Sequence, residues 1–168
     1  PFACRETEWK LESTQNIKKI AVVGSGPAGC AAALTLAQRG HSVTLFEKQV
    51  AIGGQFLLAA AVGSKSEFNE TLRYYRVQLA KAGTTVQLNH TFSAQDAQGF
   101  DDIVLANGSI PRAIQLEGIH HPMVCSYVDV LNGSVNPGNN IAIIGTGGIA
   151  IDTAMFLVKG ARRDSVAE

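Results

Sequence analysis

Gly24-Ser25-Gly26-Pro27-Ala28-Gly29 places three glycines at the spacing G-x-G-x-x-G. Each glycine has a separate task in dinucleotide chemistry. The first permits a tight turn out of a strand, and the second lets backbone approach a pyrophosphate without a Cβ. The third lets a helix pack closely on a sheet. The N-terminus of that helix then points unpaired N–H groups and a partial positive charge at the phosphates. Glu47 stands 23 residues beyond Gly24, where a carboxylate accepts hydrogen bonds from ribose hydroxyls. Glycine turns of this sort also occur with no ligand at all, so the flanking elements must decide.

Those elements are legible. Ile20 to Val23 is the apolar run of a buried parallel strand that begins near Ile17. Ala28 to Gln38 has helix-forming composition, and Gly40 stops it. His41 to Phe46 reads as a second strand with Glu47 at its tip. Residues 17–47 therefore form one βαβ unit, and the helical crossover makes the strands parallel. Farther on, Phe68, Leu72, Tyr75 and Leu79 recur at spacings of three and four, predicting an amphipathic helix over 67–81 that Gly83 ends. Strands are expected at Thr85 to Leu88, Ile103 to Ala106 and Ile141 to Ile144. The last runs into Gly145-Thr146-Gly147-Gly148, so the strand–glycine-turn–helix pattern repeats 121 residues after its first appearance.

Other classes are disfavoured. In 168 residues, 14 Lys plus Arg balance 14 Asp plus Glu, without the basic excess of a nucleic-acid binder. Ile20 to Ala37 is 18 residues without a charge, the threshold for a membrane span, but Gly24, Gly26, Pro27 and Gly29 interrupt it. The polar N-terminus shows no signal peptide. Cys4, Cys30 and Cys125 form no CxxC and fit reduced thiols in a cytoplasmic setting, with Cys30 a buried packing residue. His90, His120 and His121 lack metal-ligand spacing, so no metal site is expected. Gly53-Gly54-Gln55 is either a loop turn or a backbone surface beside a ligand, with Gln55 as an orienting amide. Arg73 and Arg76 either reach phosphate or form a solvated face. Trp9 suggests docking of the leader onto something.

GSGPAG with Glu47, Gly53-Gly54-Gln55 and Ile103-Val104-Leu105-Ala106-Asn107-Gly108 resemble the flavoprotein disulfide reductases with two dinucleotide-binding domains. Asn107 stands where that superfamily usually has Thr. More narrowly, PFACRET, GGQF, EFNETLRYYR, LNHTF, SYVDVL and AIIGTGGIAIDTAMFL together resemble the C-terminal part of the bacterial 2,4-dienoyl-CoA reductases. Those belong to the NADH:flavin oxidoreductase (old-yellow-enzyme-like) group. The resemblance implies an electron relay. NADPH passes hydride to FAD, single electrons cross an iron–sulfur cluster to FMN, and FMN reduces the dienoyl thioester. The TIM barrel with FMN, cluster and substrate site would precede Pro1, and Cys4 lies just beyond the last cluster ligand.

By that resemblance, Gly24, Gly26, Pro27 and Ala28 hold the FAD pyrophosphate, Glu47 the adenosine ribose, and Lys48 assists nearby. Gly54 and Gln55 lie along the ribityl chain, and Arg73 clamps phosphate. Backbone at Thr91 and Phe92 meets adenine, and Ala106, Asn107 and Gly108 meet the diphosphate region. Gly145, Gly147, Gly148, Ile149 and Ala150 correspond to an NAD(P)H motif, its last Ala often seen with NADPH. No residue here is expected to be catalytic on the acyl-CoA.

The expected fold is therefore α/β, a Rossmann-like parallel sheet with crossover helices. Residues 1–16 would be a leader from the upstream barrel and cluster region, 17–135 an FAD-binding domain, and 136–168 the incomplete beginning of an NAD(P)H-binding domain. The chain starts at Pro1 and reads as a piece of something longer, whose expected partner is the rest of its parent. The apolar 141–144 and 154–157 segments predict packing on the first domain or on another copy. An FAD- or NAD-binding electron-transfer subunit and an amine dehydrogenase domain would share these motifs.

Overall fold

Four short parallel strands form one sheet in the order β3-β2-β1-β4. They are β1 (Lys19–Val23), β2 (Ser42–Phe46), β3 (Thr85–Gln87) and β4 (Asp102–Leu105) in a computed structural model that describes residues 4–5, 7–112 and 114–164, with side chains to 158. The parts of the expected leader at 1–3 and 6, and the final residues 165–168, lie outside the described residues. In register, Ile20 faces Val43 on one side and Asp102 on the other. The chain runs β1 to β2 to β3 in one direction, then returns to the far side of β1 for β4. This α/β arrangement is the expected Rossmann-like sheet.

Two compact units divide the chain. The first comprises Pro1–Gly54 and Glu70–Gly108 and contains the sheet. Its helix α1 (Pro27–Gln38) covers β1 and β2, burying Cys30, Ala33 and Leu34 against Val22, Val43 and Leu45. Completely removing a leucine-sized side chain from water is worth about 1.5–3 kcal/mol, so this cluster anchors the crossover. Leu79, from the part of α3 (Phe68–Lys81) in this unit, joins it with Ile52. The leader is tied down by Thr14 N–H on Arg39 O at 2.8 Å and Arg39 Nε–H on Glu12 O at 3.2 Å.

The second unit comprises Gln55–Asn69 and Ser109–Glu168. In it α5 (Tyr127–Leu131) contacts both α2 (Gln55–Ala61) and α6 (Gly148–Asp164), burying Val130 and Leu131. Lys65 Nζ pairs with Asp152 Oδ2 at 2.5 Å, and the Phe56 and Phe68 rings meet at 4.5 Å. Residues 55–61 and 127–131 therefore group with the C-terminal helix.

The strand expected at Ile141 to Ile144 does not form. No ladder partner for it exists among the described residues, and Ile141, Ile143 and Ile144 are exposed. A strand's N–H and C=O groups need a neighbouring strand, which apolar side chains alone cannot supply. The glycine turn and helix that should follow it do form. Among the described residues, no helix is long and apolar enough to cross a membrane.

Candidate functional site

The return of the chain from β3 to β4 makes the C-terminal ends of β1 and β4 a topological switch point, where open α/β sheets bind ligands in a crevice. The first glycine turn leaves β1 there. Gly24 has φ +99°, and a Cβ on it would stand 2.5 Å from Ala106 O, so only glycine fits between the two strand ends. A Cβ on Gly29 would overlap Gly24 O, which fixes how closely α1 approaches the turn. Gly26, by contrast, has nothing within 4 Å of its Cβ position. That open face is where a ligand can approach backbone.

The start of α1 is prepared for an anion. Gly26 at its N-cap supplies no side-chain cap, Pro27 lies at the helix start, and no acidic residue occupies the first turn. The N–H groups there keep their partial positive charge for a phosphate. Gly53 N–H donates to Ser25 O at 2.9 Å, and Gly54 packs so that a Cβ on it would meet Gly26 Cα at 3.1 Å. The Gly53-Gly54 element thus runs as backbone beside the turn.

Glu47 is buried at the tip of β2. Its Oε2 accepts from Ser25 N–H at 2.9 Å and from Ser25 Oγ–H at 2.6 Å, and its Oε1 accepts from Gln49 N–H at 2.9 Å. Burial pushes its carboxyl upward, but these three hydrogen bonds, with Lys48 adjacent, outweigh burial and hold it below the usual carboxylate range. A fixed, ionised acceptor at this position suits ribose hydroxyls and repels a 2′-phosphate. His90 N–H donates to Glu47 O at 2.9 Å, and the Phe92 ring meets Phe46 edge-on at 4.9 Å. Thr91 and Phe92 are therefore held beside β2's tip. On the other flank, Ala106 N–H donates to Val23 O at 2.8 Å, with Asn107 and Gly108 exposed beyond it.

Arg73 Nε–H donates to Glu70 Oε2 at 2.7 Å on an exposed helix face, and Arg76 is exposed. Gln55 belongs to the second unit, where its amide donates to Ser109 O at 3.0 Å. In that unit Gly145 has φ +133°, and both Ala150 and Ile151 N–H groups donate to Gly147 O. Gly147, Gly148 and Ile149 are exposed, with no paired strand before them. A concavity of about 450 Å³ at the opposite, N-terminal ends of the strands is lined by Ile17, Lys18, Ser42, Gln98 and Asp101 and holds none of these residues.

Cys30 is buried under the turn, its Sγ–H donating to Ser25 O at 3.2 Å. Burial, then the charge of Glu47, pushes its thiol up to about 11. At neutral pH it is a protonated packing group, as its sequence context predicted. Cys4 and Cys125 are exposed. Native labelling with a thiol reagent at pH 7.5 should therefore modify Cys4 and Cys125 within minutes, while Cys30 reacts only after denaturant is added. Among the described residues, no three His, Cys, Asp or Glu gather as a metal site.

A family model described as pyridine nucleotide-disulphide oxidoreductase matches residues 18–167. The chain belongs to that family. Its members are flavoprotein oxidoreductases that bind FAD and NAD(P), and the open face at Gly26, the uncapped start of α1 and the buried carboxylate fit the pyrophosphate and ribose of such a cofactor. A relative, cinnamate reductase of Clostridium sporogenes, is 34% identical across 100% of this chain and 25% of its own length. The N,N-dimethylglycine/sarcosine dehydrogenase of Chromohalobacter salexigens is 36% identical over 75% of this chain and 19% of its own length. The structure of a 2-naphthoyl-CoA reductase in complex with 2-naphthoyl-CoA matches with a TM-score of 0.87 and 34% identity, covering 90% of this chain and 23% of that one. The chain thus spans about a quarter of the length of these larger family members.

Proposed function

We propose that this chain is the FAD-binding part of a reductase resembling 2,4-dienoyl-CoA reductase, working in the cytoplasm within a larger protein. The observation that carries the proposal is the cradle at the switch point, an unobstructed glycine before an uncapped helix with a buried, ionised Glu47 beside it. Gly24, Gly26 and Ala28 would bind the pyrophosphate through backbone, and Glu47 would orient the adenosine ribose. Thr91 and Phe92 would flank adenine, while Ala106 to Gly108 and Gly54 would exclude water along the other side. FAD held there supplies the exchange between a two-electron hydride from NAD(P)H and single electrons for an iron–sulfur cluster and FMN in the parent. Similarity to reductases named for cinnamate and 2-naphthoyl-CoA, both conjugated acyl compounds, supports an unsaturated acyl substrate.

Titration of the chain with FAD, followed by quenching of flavin fluorescence, tests the cradle. Saturable binding is expected, and Gly26→Val should weaken it by about tenfold or more, since a loss of 1.4 kcal/mol is tenfold in affinity. Binding unchanged by Gly26→Val would place FAD elsewhere. The relationship to dimethylglycine/sarcosine dehydrogenase supports one second reading, an amine dehydrogenase parent. The full-length parent separates the two, because NAD(P)H oxidation dependent on a dienoyl-CoA contradicts the amine reading, and amine oxidation without NAD(P)H consumption contradicts the first.

A further inference from the structure

Ser25 is fully buried between the two glycines of the turn, and its side chain has one partner, Glu47 Oε2, at 2.6 Å. Its own N–H donates to the same oxygen at 2.9 Å. Its carbonyl accepts from Gly53 N–H and from Cys30 Sγ–H. One residue therefore connects the tip of β2, the Gly53-Gly54 element and α1. Both donors act on one oxygen of the carboxylate. A carboxylate has about four acceptor positions. Ser25 occupies two on Oε2 and Gln49 N–H one on Oε1, so the position left for a ligand lies on Oε1.

We propose that Ser25 is a positioning residue for cofactor recognition, fixing Glu47 through Oε2 so that Oε1 is the oxygen a ribose hydroxyl meets. This rests on the dinucleotide reading of the same site. A hydroxyl donating to a carboxylate favours its ionised form, so removing it should let Glu47 take up a proton at higher pH. A residue that merely filled space would lack that signature. Around the carboxylate, the charged and titratable groups are Lys48 next to it in sequence and Cys30 on α1, with His90 bonded to the Glu47 backbone.

The test compares the FAD affinity of the unsubstituted chain and Ser25→Ala from pH 5 to pH 8. The acid limb should move to higher pH, so that the loss of affinity on Ser25→Ala is about twofold or more greater at pH 5 than at pH 8. In a Glu47→Gln background, adding Ser25→Ala should change affinity by less than about twofold, because the coupled partner is already gone. Equal weakening at all pH values, undiminished in the Glu47→Gln background, would overturn the proposal. Titration of the Glu47 carboxyl carbon by NMR needs no ligand. If the unsubstituted chain takes up no FAD, the dinucleotide reading fails, and the carboxyl midpoints of the two chains still decide the role of Ser25, an upward shift supporting it and coincident midpoints overturning it. Should Ser25→Ala not fold, Ser25→Gly, which also lacks the hydroxyl, takes its place in the carboxyl titration, with the same upward shift supporting the proposal and coincident midpoints overturning it.

Discussion

Gly29→Ala should destabilise the first unit by about 3 kcal/mol or more, although alanine is the better helix former by about 1 kcal/mol. The added Cβ overlaps Gly24 O, a backbone atom that cannot rotate away. It also lies against the Ala106 side chain at 3.3 Å, so α1 must slide away from both strand ends. That movement opens the cluster of Val22, Cys30, Ala33 and Leu45, where each lost contact adds to the cost. At roughly 2–4 °C per kcal/mol for a chain of this size, thermal unfolding should shift down by about 6–12 °C. Gly26→Ala is the matched control. Gly26 has φ −63° and ψ 176°, which alanine adopts readily, and its Cβ would meet nothing within 4 Å. Its midpoint should stay within about 2 °C of the unsubstituted chain by the same scale, while FAD binding weakens. Two glycines three residues apart in one motif would then separate into a packing role and a binding role. A Gly29→Ala midpoint as high as that of Gly26→Ala would contradict the close approach.

The same contrast explains what was legible in the sequence. The path β1, glycine turn, α1 and β2 is written in local signals, with an apolar run, glycines that stop and start elements, and a carboxylate at the strand tip. The helix α2 was hidden behind Gly53-Gly54, although Phe56-Leu57-Leu58-Ala59-Ala60 has the composition of a helix. The expected strand at 141–144 failed for the opposite reason. Its composition is right, but sheet formation is non-local, and none of the described residues lies alongside to complete its hydrogen bonds. Arg73 pairs with Glu70 three residues earlier on an exposed helix face, a local ion pair that the spacing of the two residues already makes legible. Ser25 was overlooked because its partner lies 22 residues away. Only the fold brings a small polar residue of the turn under the carboxylate. Its position between two glycines of the turn was the signal the sequence offered.

Glu47→Ala should be the most damaging side-chain truncation in the site. It leaves the Ser25 N–H and hydroxyl without an acceptor in a place water does not reach, and frees Gln49 N–H nearer the surface. At about 1–3 kcal/mol for each buried donor left unpaired, the expected loss is roughly 3–5 kcal/mol. Glu47→Gln keeps one carbonyl oxygen for the two Ser25 donors but turns an amide N–H₂ toward Gln49 N–H, so about 1–2 kcal/mol should be lost. The charge adds a pH dependence of definite sign. Because the folded carboxyl lies below its unfolded value of about 4.3, ionised Glu47 stabilises the fold fully above that pH. The contribution disappears as pH falls through the lower folded value. Urea unfolding at pH 7 and at pH 3 should therefore show a gap between the unsubstituted chain and Glu47→Gln that is wide at pH 7 and narrows in acid. A gap of constant width would mean that the carboxylate is no better held in the folded chain than in the unfolded one, and that its hydrogen bonds to Ser25 do not form.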